Sequence, residues 1–305
     1  MTVKSSAFIS NASINNASIN NSSGNQENSG QLYIVATPIG NLHDFSPRAI
    51  STLQQVDLIA AEDTRHSGHL LNQHDINTHC IALHEHNERH SSQKLIQSIK
   101  QGNNIALISD AGTPLVSDPG YYLVKLAHEA GITVVPVPGP SAMITALCAA
   151  GLPTDRFCFE GFVPSKTTAR KKFYETCQKE PRTMVFYETP HRIVASLTDL
   201  CTVLGEQRIV VLARELTKTF ETIRNDTASA LLEWVKADPN QQKGEIVLVV
   251  EGCKTPRSED IAPETERILR LLLVELSLKQ AVKLTVDITG EKKKPVYRAA
   301  LKLKS

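Results

Sequence analysis

The segment Ser109-Asp110-Ala111-Gly112-Thr113-Pro114-Leu115-Val116-Ser117-Asp118-Pro119-Gly120 holds residue types that build a ligand-binding loop. Glycine lets a backbone approach a ligand closely, proline stiffens the turn, and alternating carboxylates and hydroxyls offer acceptors and donors. The loop follows the apolar run 105–109, and in α/β sheets ligands bind beyond the carboxyl ends of strands. It is neither a GxGxxG loop nor a phosphate loop ending in GKS or GKT, so an ordinary dinucleotide or nucleoside-triphosphate site is not indicated. A rigid turn in which Asp110 and Asp118 merely cap helices fits the same spacing.

Other polar turns also end apolar runs. Pro138-Gly139-Pro140-Ser141-Ala142 follows a run near Val135, and there Ser141 reads either as a helix cap or as the opposite wall of a crevice. Glu62, Asp63 and Arg65 cluster after the run 56–60. An Asp–Arg pair can brace a loop, whereas a carboxylate facing a bound sugar could accept its hydroxyl or take its proton. Glu188, His191 and Arg192 end one later strand, and Arg214, Glu215 and Lys218 end the next. Each set fits an anionic or hydroxyl-bearing substrate, and equally an internal ion pair. His84-Glu85-His86 reads as polar surface or pocket lining rather than as a metal-ligand set.

The elements that must position these groups alternate. Strands are expected at 32–36, 56–60, 105–109 and 132–136, with helices at 47–54, 91–100, 120–130 and 140–150 between and after them. Short runs apolar on both faces, alternating with helices, predict a largely parallel sheet covered on both sides. A second unit is expected to carry strands at 156–159, 183–187, 208–213 and 245–250 and helices at 167–177 and 190–203. Helices at 264–276, 278–289 and 296–302 form a tail beyond a charged, proline-containing linker at 252–263. The expected division is a Ser/Asn-rich extension at 1–30 that does not fold, an α/β lobe at 31–150, a second at 151–255 and a helical appendage at 256–305.

Composition sets the outer limits. The 305 residues are 41% apolar, which excludes a wholly disordered chain, and 33 Lys plus Arg against 32 Asp plus Glu exclude a uniformly basic coat. Basic residues are nevertheless uneven. Lys166, Arg170, Lys171, Lys172, Lys179 and Arg182 form one group, and Lys292, Lys293, Lys294, Arg298 and Lys302 mark the tail, either as solvated helix faces or as phosphate contacts. The six cysteines are scattered without zinc-type spacing, so no structural metal and a reducing, cytoplasmic setting are expected. No apolar run reaches the roughly 18 residues of a membrane-crossing helix.

Taken in order, the motifs at 35–42, 61–65, 83–88, 109–120, 137–142, 186–192 and 213–218 resemble the ribosomal RNA small subunit methyltransferase I family. The resemblance covers almost everything from Gln31 onward, and the first 30 residues depart from it. It implies a two-lobed α/β tetrapyrrole methylase fold with a small C-terminal helical module. It also implies S-adenosylmethionine-dependent 2'-O-methylation of a cytidine ribose in the decoding centre of 16S ribosomal RNA, by a homodimer.

Carried onto this sequence, the resemblance has Thr37, Pro38, Gly40, Asp110, Gly112, Thr113, Pro114, Ser117, Asp118, Pro138, Gly139, Ser141 and Ala142 bordering the methyl donor. RNA would meet Asp63, Arg65, His84, His86, His191, Arg192, Arg214, Glu215, Lys218 and Lys292, Lys293 and Lys294. Glu62 and Glu188 are the expected catalytic carboxylates. A small-molecule tetrapyrrole methyltransferase and a non-catalytic nucleotide- or RNA-binding protein are the alternatives.

Overall fold

The computed structural model describes residues 29–253 and 261–304. Residues 1–28 of the expected extension and residues 254–260 of the expected linker lie outside the described residues.

The first sheet contains β1 (Leu32–Val35), β2 (Leu58–Ala61), β3 (Cys80–Ala82), β4 (Ile105–Ile108) and β5 (Val134–Val137), all parallel, in the order β3-β2-β4-β1-β5. The helices that follow these strands are α1 (Pro47–Gln55), α2 (Thr64–Gln73), α3 (Glu88–Lys100), α4 (Tyr121–Glu129) and α5 (Ala142–Ala149). The strand runs are apolar because both faces are covered. Ala106 and Ile108 of β4 join Ala49, Leu53 and Leu71 beneath α1 and α2, whereas Ile105 and Leu107 meet Leu95, Ile99 and Leu123 beneath α3 and α4. Strand β2 begins later than expected because the Val56 N–H still donates to the Thr52 carbonyl and closes α1.

Helix α2 was not expected. Its sequence is polar and carries Gly68, but Asp63 starts it by accepting from the Arg65 N–H at 2.9 Å, and Leu71 packs into the core with Leu53 and Ile59.

The second sheet contains β6 (Phe157–Phe162), β7 (Thr183–Glu188), β8 (Ile209–Arg214), β9 (Thr222–Thr227) and β10 (Ile246–Val250) in the order β6-β7-β10-β8-β9. Only β6 and β7 pair in parallel, and the remaining pairs are antiparallel. One face is covered by α6 (Thr167–Cys177), α7 (Ile193–Leu204) and α8 (Ala228–Ala237). The other face receives α5, which leaves its own sheet and packs Ala146 and Leu147 against Val185, Val211 and Val247. Helix α5 is almost wholly apolar, and its buried residues join the two lobes.

Helices α6 and α7 are locked by ions. The Arg170 Nε donates to Asp199 Oδ2 at 2.7 Å, and its Nη1 donates to the Ser165 carbonyl at 3.0 Å. Arg170 is 2% exposed, so it belongs to the interior and not to the basic surface group expected near the second lobe.

Beyond the linker, α9 (Pro263–Glu275), α10 (Leu278–Thr289) and α11 (Lys293–Lys304) enclose a core of their own around Leu269, Ala281, Val282, Val296 and Ala300. Gly290 ends α10 with φ +69°, a left-handed cap that costs other residues more, and the chain turns there into α11. Among the described residues no helix is long and apolar enough to cross a membrane.

Candidate active site

The carboxyl ends of β1, β2, β4 and β5 are tied to one another by their loops. The Thr37 N–H donates to the Gly112 carbonyl at 2.8 Å, and the Gly112 N–H returns a bond to the Thr37 carbonyl at 3.1 Å. The Asp63 N–H donates to Asp110 Oδ1 at 3.1 Å, and the Thr113 hydroxyl donates to the Pro140 carbonyl at 3.0 Å. Loop 109–120 is therefore fastened to three neighbouring turns. It contains Leu115 at φ +71° and Ser117 at φ +67°, left-handed conformations that side-chain-bearing residues avoid unless surroundings impose them.

Above this loop lies a cavity of about 370 Å³ closed from the other side by the second lobe. Its floor is Glu62, Asp110, Gly112, Thr113, Ser117 and Asp118, with Ser141 and Ala142 at the start of α5. Phe162, Tyr187, Glu188, Leu216 and Val247 form the facing wall. The lobes also meet where the Asn41 N–H donates to the Thr217 hydroxyl at 3.1 Å.

Charge in the cavity is one-sided. Burial raises the Asp118 carboxyl to about 6, and the nearby negative charge of Glu62 adds to that shift. Glu62 is itself raised, by burial first and by Asp110 second. Across the cavity the Glu188 side chain is fully buried. Its Oε1 accepts from the Thr189 N–H at 2.7 Å and from Arg192 Nε at 3.2 Å. Its Oε2 has no hydrogen-bond partner among the described residues. The arrangement can attract a compact cation and can accept a proton near neutral pH.

The helix-cap alternatives for Asp118 and Ser141 do not hold. Asp118 does not cap α4, whose first N–H groups are met by Glu88 Oε1, accepting from Gly120 N at 3.0 Å and Tyr122 N at 2.8 Å. Ser141 makes no side-chain cap bond on α5. Asp63 does cap α2, and its carboxylate pairs with Arg65 at 2.9 Å, which leaves it braced outside the cavity. The bond to Arg65 holds the Asp63 carboxyl down at about 2.

Of the remaining sequence-derived residues, Thr37 is buried beneath the loop, with its hydroxyl donating to the Ser109 carbonyl at 3.2 Å. Pro114, Pro138 and Gly139 support the floor without lining the cavity. Pro38, Gly40 and Lys218 line an adjoining hollow. Arg214 is turned inward, donating to the Phe220 carbonyl at 3.0 Å and to the Thr222 hydroxyl at 3.1 Å, so it holds the β8–β9 connection. Glu215 is taken by Lys218 at 3.1 Å. His84 and His86 stack edge to face beside α3, and His191 lies exposed by Thr189, all outside the cavity. Lys292, Lys293 and Lys294 are exposed at the start of α11. The apolar wall of Ile39, Val116, Phe162, Leu216 and Val247 carries no sequence signal that separates it from ordinary core.

Comparison with known proteins gives this geometry its context. The pattern describing Tetrapyrrole (Corrin/Porphyrin) Methylases matches residues 31–232, and that of the RsmI C-terminal HTH domain matches 259–304. The Ribosomal RNA small subunit methyltransferase I of Escherichia coli O157:H7 is 56% identical over 90% of this chain and 96% of its own length. That of Haemophilus influenzae is 54% identical over 90% and 97%. The chain belongs to the ribosomal RNA small subunit methyltransferase I family. The family's lobes have the tetrapyrrole methylase fold. The uroporphyrin-III-C-methyltransferase of Thermus thermophilus superposes with TM-score 0.52 at 18% identity, over 73% of this chain and 94% of that one. A diphthine synthase does so with TM-score 0.56 at 14% identity, over 73% and 90%. Helices α9–α11 lie within the second pattern.

Proposed function

We propose that this protein transfers a methyl group from S-adenosylmethionine to the ribose 2'-hydroxyl of a cytidine in 16S ribosomal RNA, within the small ribosomal subunit. The observation that carries the reading is identity above 50% along nearly the whole length of small subunit methyltransferases, C-terminal module included.

The cavity suits this donor. It is partly apolar, as an adenine ring and a methionine carbon chain require, and it gathers Glu62, Asp110, Asp118 and Glu188 where a sulfonium and an ammonium would sit. The buried, unpartnered Glu188 Oε2 is a ready acceptor for a donor hydrogen. When bound, S-adenosylmethionine supplies an electrophilic methyl carbon on a sulfur that leaves as a neutral thioether.

The chain's own residues supply the rest. The two lobes would hold the ribose beside the donor, and the Glu62 and Asp118 carboxyls would be placed to take the 2'-hydroxyl proton. Arg192 donates to Glu188 Oε1 and fixes that side chain on the far wall. Exposed basic residues of α11 steady the RNA backbone. Homodimerisation is part of the reading, supported by apolar groups left exposed at Ile144 of α5 and Ile223 of β9.

The reading is tested by offering labelled donor to purified small subunits, to free ribosomal RNA and to a tetrapyrrole. Label is expected on one cytidine ribose; label on the tetrapyrrole alone overturns the proposal.

Two further outcomes follow. Gly112→Val places a β-branched side chain at φ +87°, beside Ile39 Cγ2, in a segment bonded on both sides to Thr37. Donor affinity measured by calorimetry is expected to fall at least about tenfold, roughly 1.4 kcal/mol, with the far-UV spectrum retained. Unchanged affinity would remove the loop from the donor site. Reversing Lys292, Lys293 and Lys294 to Glu is expected to weaken small-subunit RNA binding and flatten its salt dependence by roughly one unit of log–log slope per lost phosphate contact. Donor affinity should stay within about twofold, and an identical salt series would exclude this stretch from RNA contact.

A further inference from the structure

Ile39, Asp110, Ala111 and Glu245 form a wall with a second hollow behind it. This hollow, of about 300 Å³, lies between the turn at 38–42 and the face of α2 that carries His66, Ser67, His69, Leu70 and Gln73. None of those five α2 residues takes part in the donor cavity.

Four observations define what the hollow accepts. Ser67 is 2% exposed, and its hydroxyl has no hydrogen-bond partner among the described residues, although helical serines commonly bond a carbonyl one turn back. Leu42 and Leu70 with the two imidazoles give flat or apolar surfaces suited to a ring. Asp110 and Glu245 are acceptors on the wall shared with the donor cavity. Lys218 closes one side, with Nζ donating to Glu215 at 3.1 Å and to Glu245 at 3.0 Å, which uses two of its three hydrogens.

Two carboxylates in the lining make the hollow a poor phosphate site. They suit a heterocycle bearing an amino group, the pattern by which acidic side chains read the exocyclic amine of cytosine. We infer that this hollow receives the cytosine base of the nucleotide being methylated, flipped out of its stack, with its ribose reaching across the shared wall toward the donor. The inference rests on the function proposed above. A wall carboxylate accepts from the base amine, Ser67 and Gln73 meet the ring carbonyl and nitrogen, and docking gives the Ser67 hydroxyl its partner. Uracil places a carbonyl where the amine should be, and thus sets an oxygen against a carboxylate.

The test uses small subunits carrying either cytidine or uridine at the target position, with kcat/KM measured for each. The wild type is expected to favour cytidine. The Ser67→Ala/Gln73→Leu variant is expected to lose at least tenfold in kcat/KM on cytidine and no more than about twofold on uridine, with donor affinity by calorimetry within twofold. A second variant, His66→Ala/His69→Ala, replaces two exposed side chains. It should raise KM for cytidine subunits at least fivefold at unchanged donor affinity. An unchanged cytidine-to-uridine ratio in the first variant, an unchanged KM in the second, or a fall in donor affinity in either overturns the base assignment while the wild type still methylates RNA. A wild type that labels no RNA instead overturns the functional reading, and the base site falls with it.

Discussion

Asp118→Asn is expected to lower the single-turnover rate of RNA methylation by about 10²- to 10⁴-fold, the usual contribution of a positioned general base. Asparagine keeps the shape of the side chain and removes its capacity to take a proton. Burial raises the Asp118 carboxyl to about 6, and the charge of Glu62 adds to that shift. The wild-type rate should therefore climb with pH through about 6 and level off above it, and the variant should lose that climb. Glu62 lies close enough to Asp118 for its charge to add to that shift, so Glu62→Gln is expected to move the climb to lower pH, and the double variant should cost little more than Asp118→Asn alone. Donor binding measured separately distinguishes a chemical defect from a binding defect. A variant with wild-type turnover would exclude Asp118 as the proton acceptor.

The same substitution carries a stability signature of known sign. In the unfolded chain an aspartate gives up its proton near 3.8, and in the folded protein Asp118 does so near 6. Between those values the folded state binds more protons, so stability falls as pH rises through the window and stays lower above it. Asparagine escapes that loss. Above pH 6 the variant should be the more stable by about 1 kcal/mol once partial solvent access is allowed for, or roughly 2–4 °C in Tm, and the gain should vanish below about pH 4.

Arg170→Met is expected to destabilise the fold by about 3–5 kcal/mol in denaturant unfolding, because it leaves Asp199 buried without its main counter-charge. Both side chains are nearly inaccessible, at 2% and 6% exposure, and the bond between them ties α6 to α7. Lys171 approaches the other Asp199 oxygen at 3.6 Å from a partly exposed position, which favours the lower end of the range. Arg170→Met/Asp199→Leu should recover most of the loss, since an apolar pair of similar volume pays no desolvation. If Arg170→Met costs less than about 1 kcal/mol, the pair is not a structural clamp, and the basic group at 166–182 regains its reading as a phosphate surface.

Much of the first lobe was legible because its signals are short-range. Apolar runs at β1, β4 and β5 ending in proline and glycine turns marked strands and their carboxyl-end loops, and in this class of sheet such ends are where ligands bind. Helices α6 and α10 begin and end where sequence reading expects, since their apolar spacing and flanking breakers lie within a few residues. The order of motifs was enough to indicate the family to which the chain belongs.

What escaped reading depends on contacts distant in the chain. Helix α2 has too few apolar residues to show a period, and it exists because Asp63 caps it and Leu71 finds the core of the first lobe to pack into. Polar β9 forms because β8 offers an antiparallel edge. Arg170 looks like a surface cation in the sequence and Arg214 like a substrate contact or half of an internal ion pair, yet folding supplies acceptors from α7 and from the Phe220 carbonyl and turns both inward. The residue types of the loop at 109–120 marked it as a place for a ligand, and a local pattern can do that much. The Asp118 shift was decided only when the tertiary fold buried that carboxyl beside Glu62, because burial and the field of a distant charge have no local sequence signature.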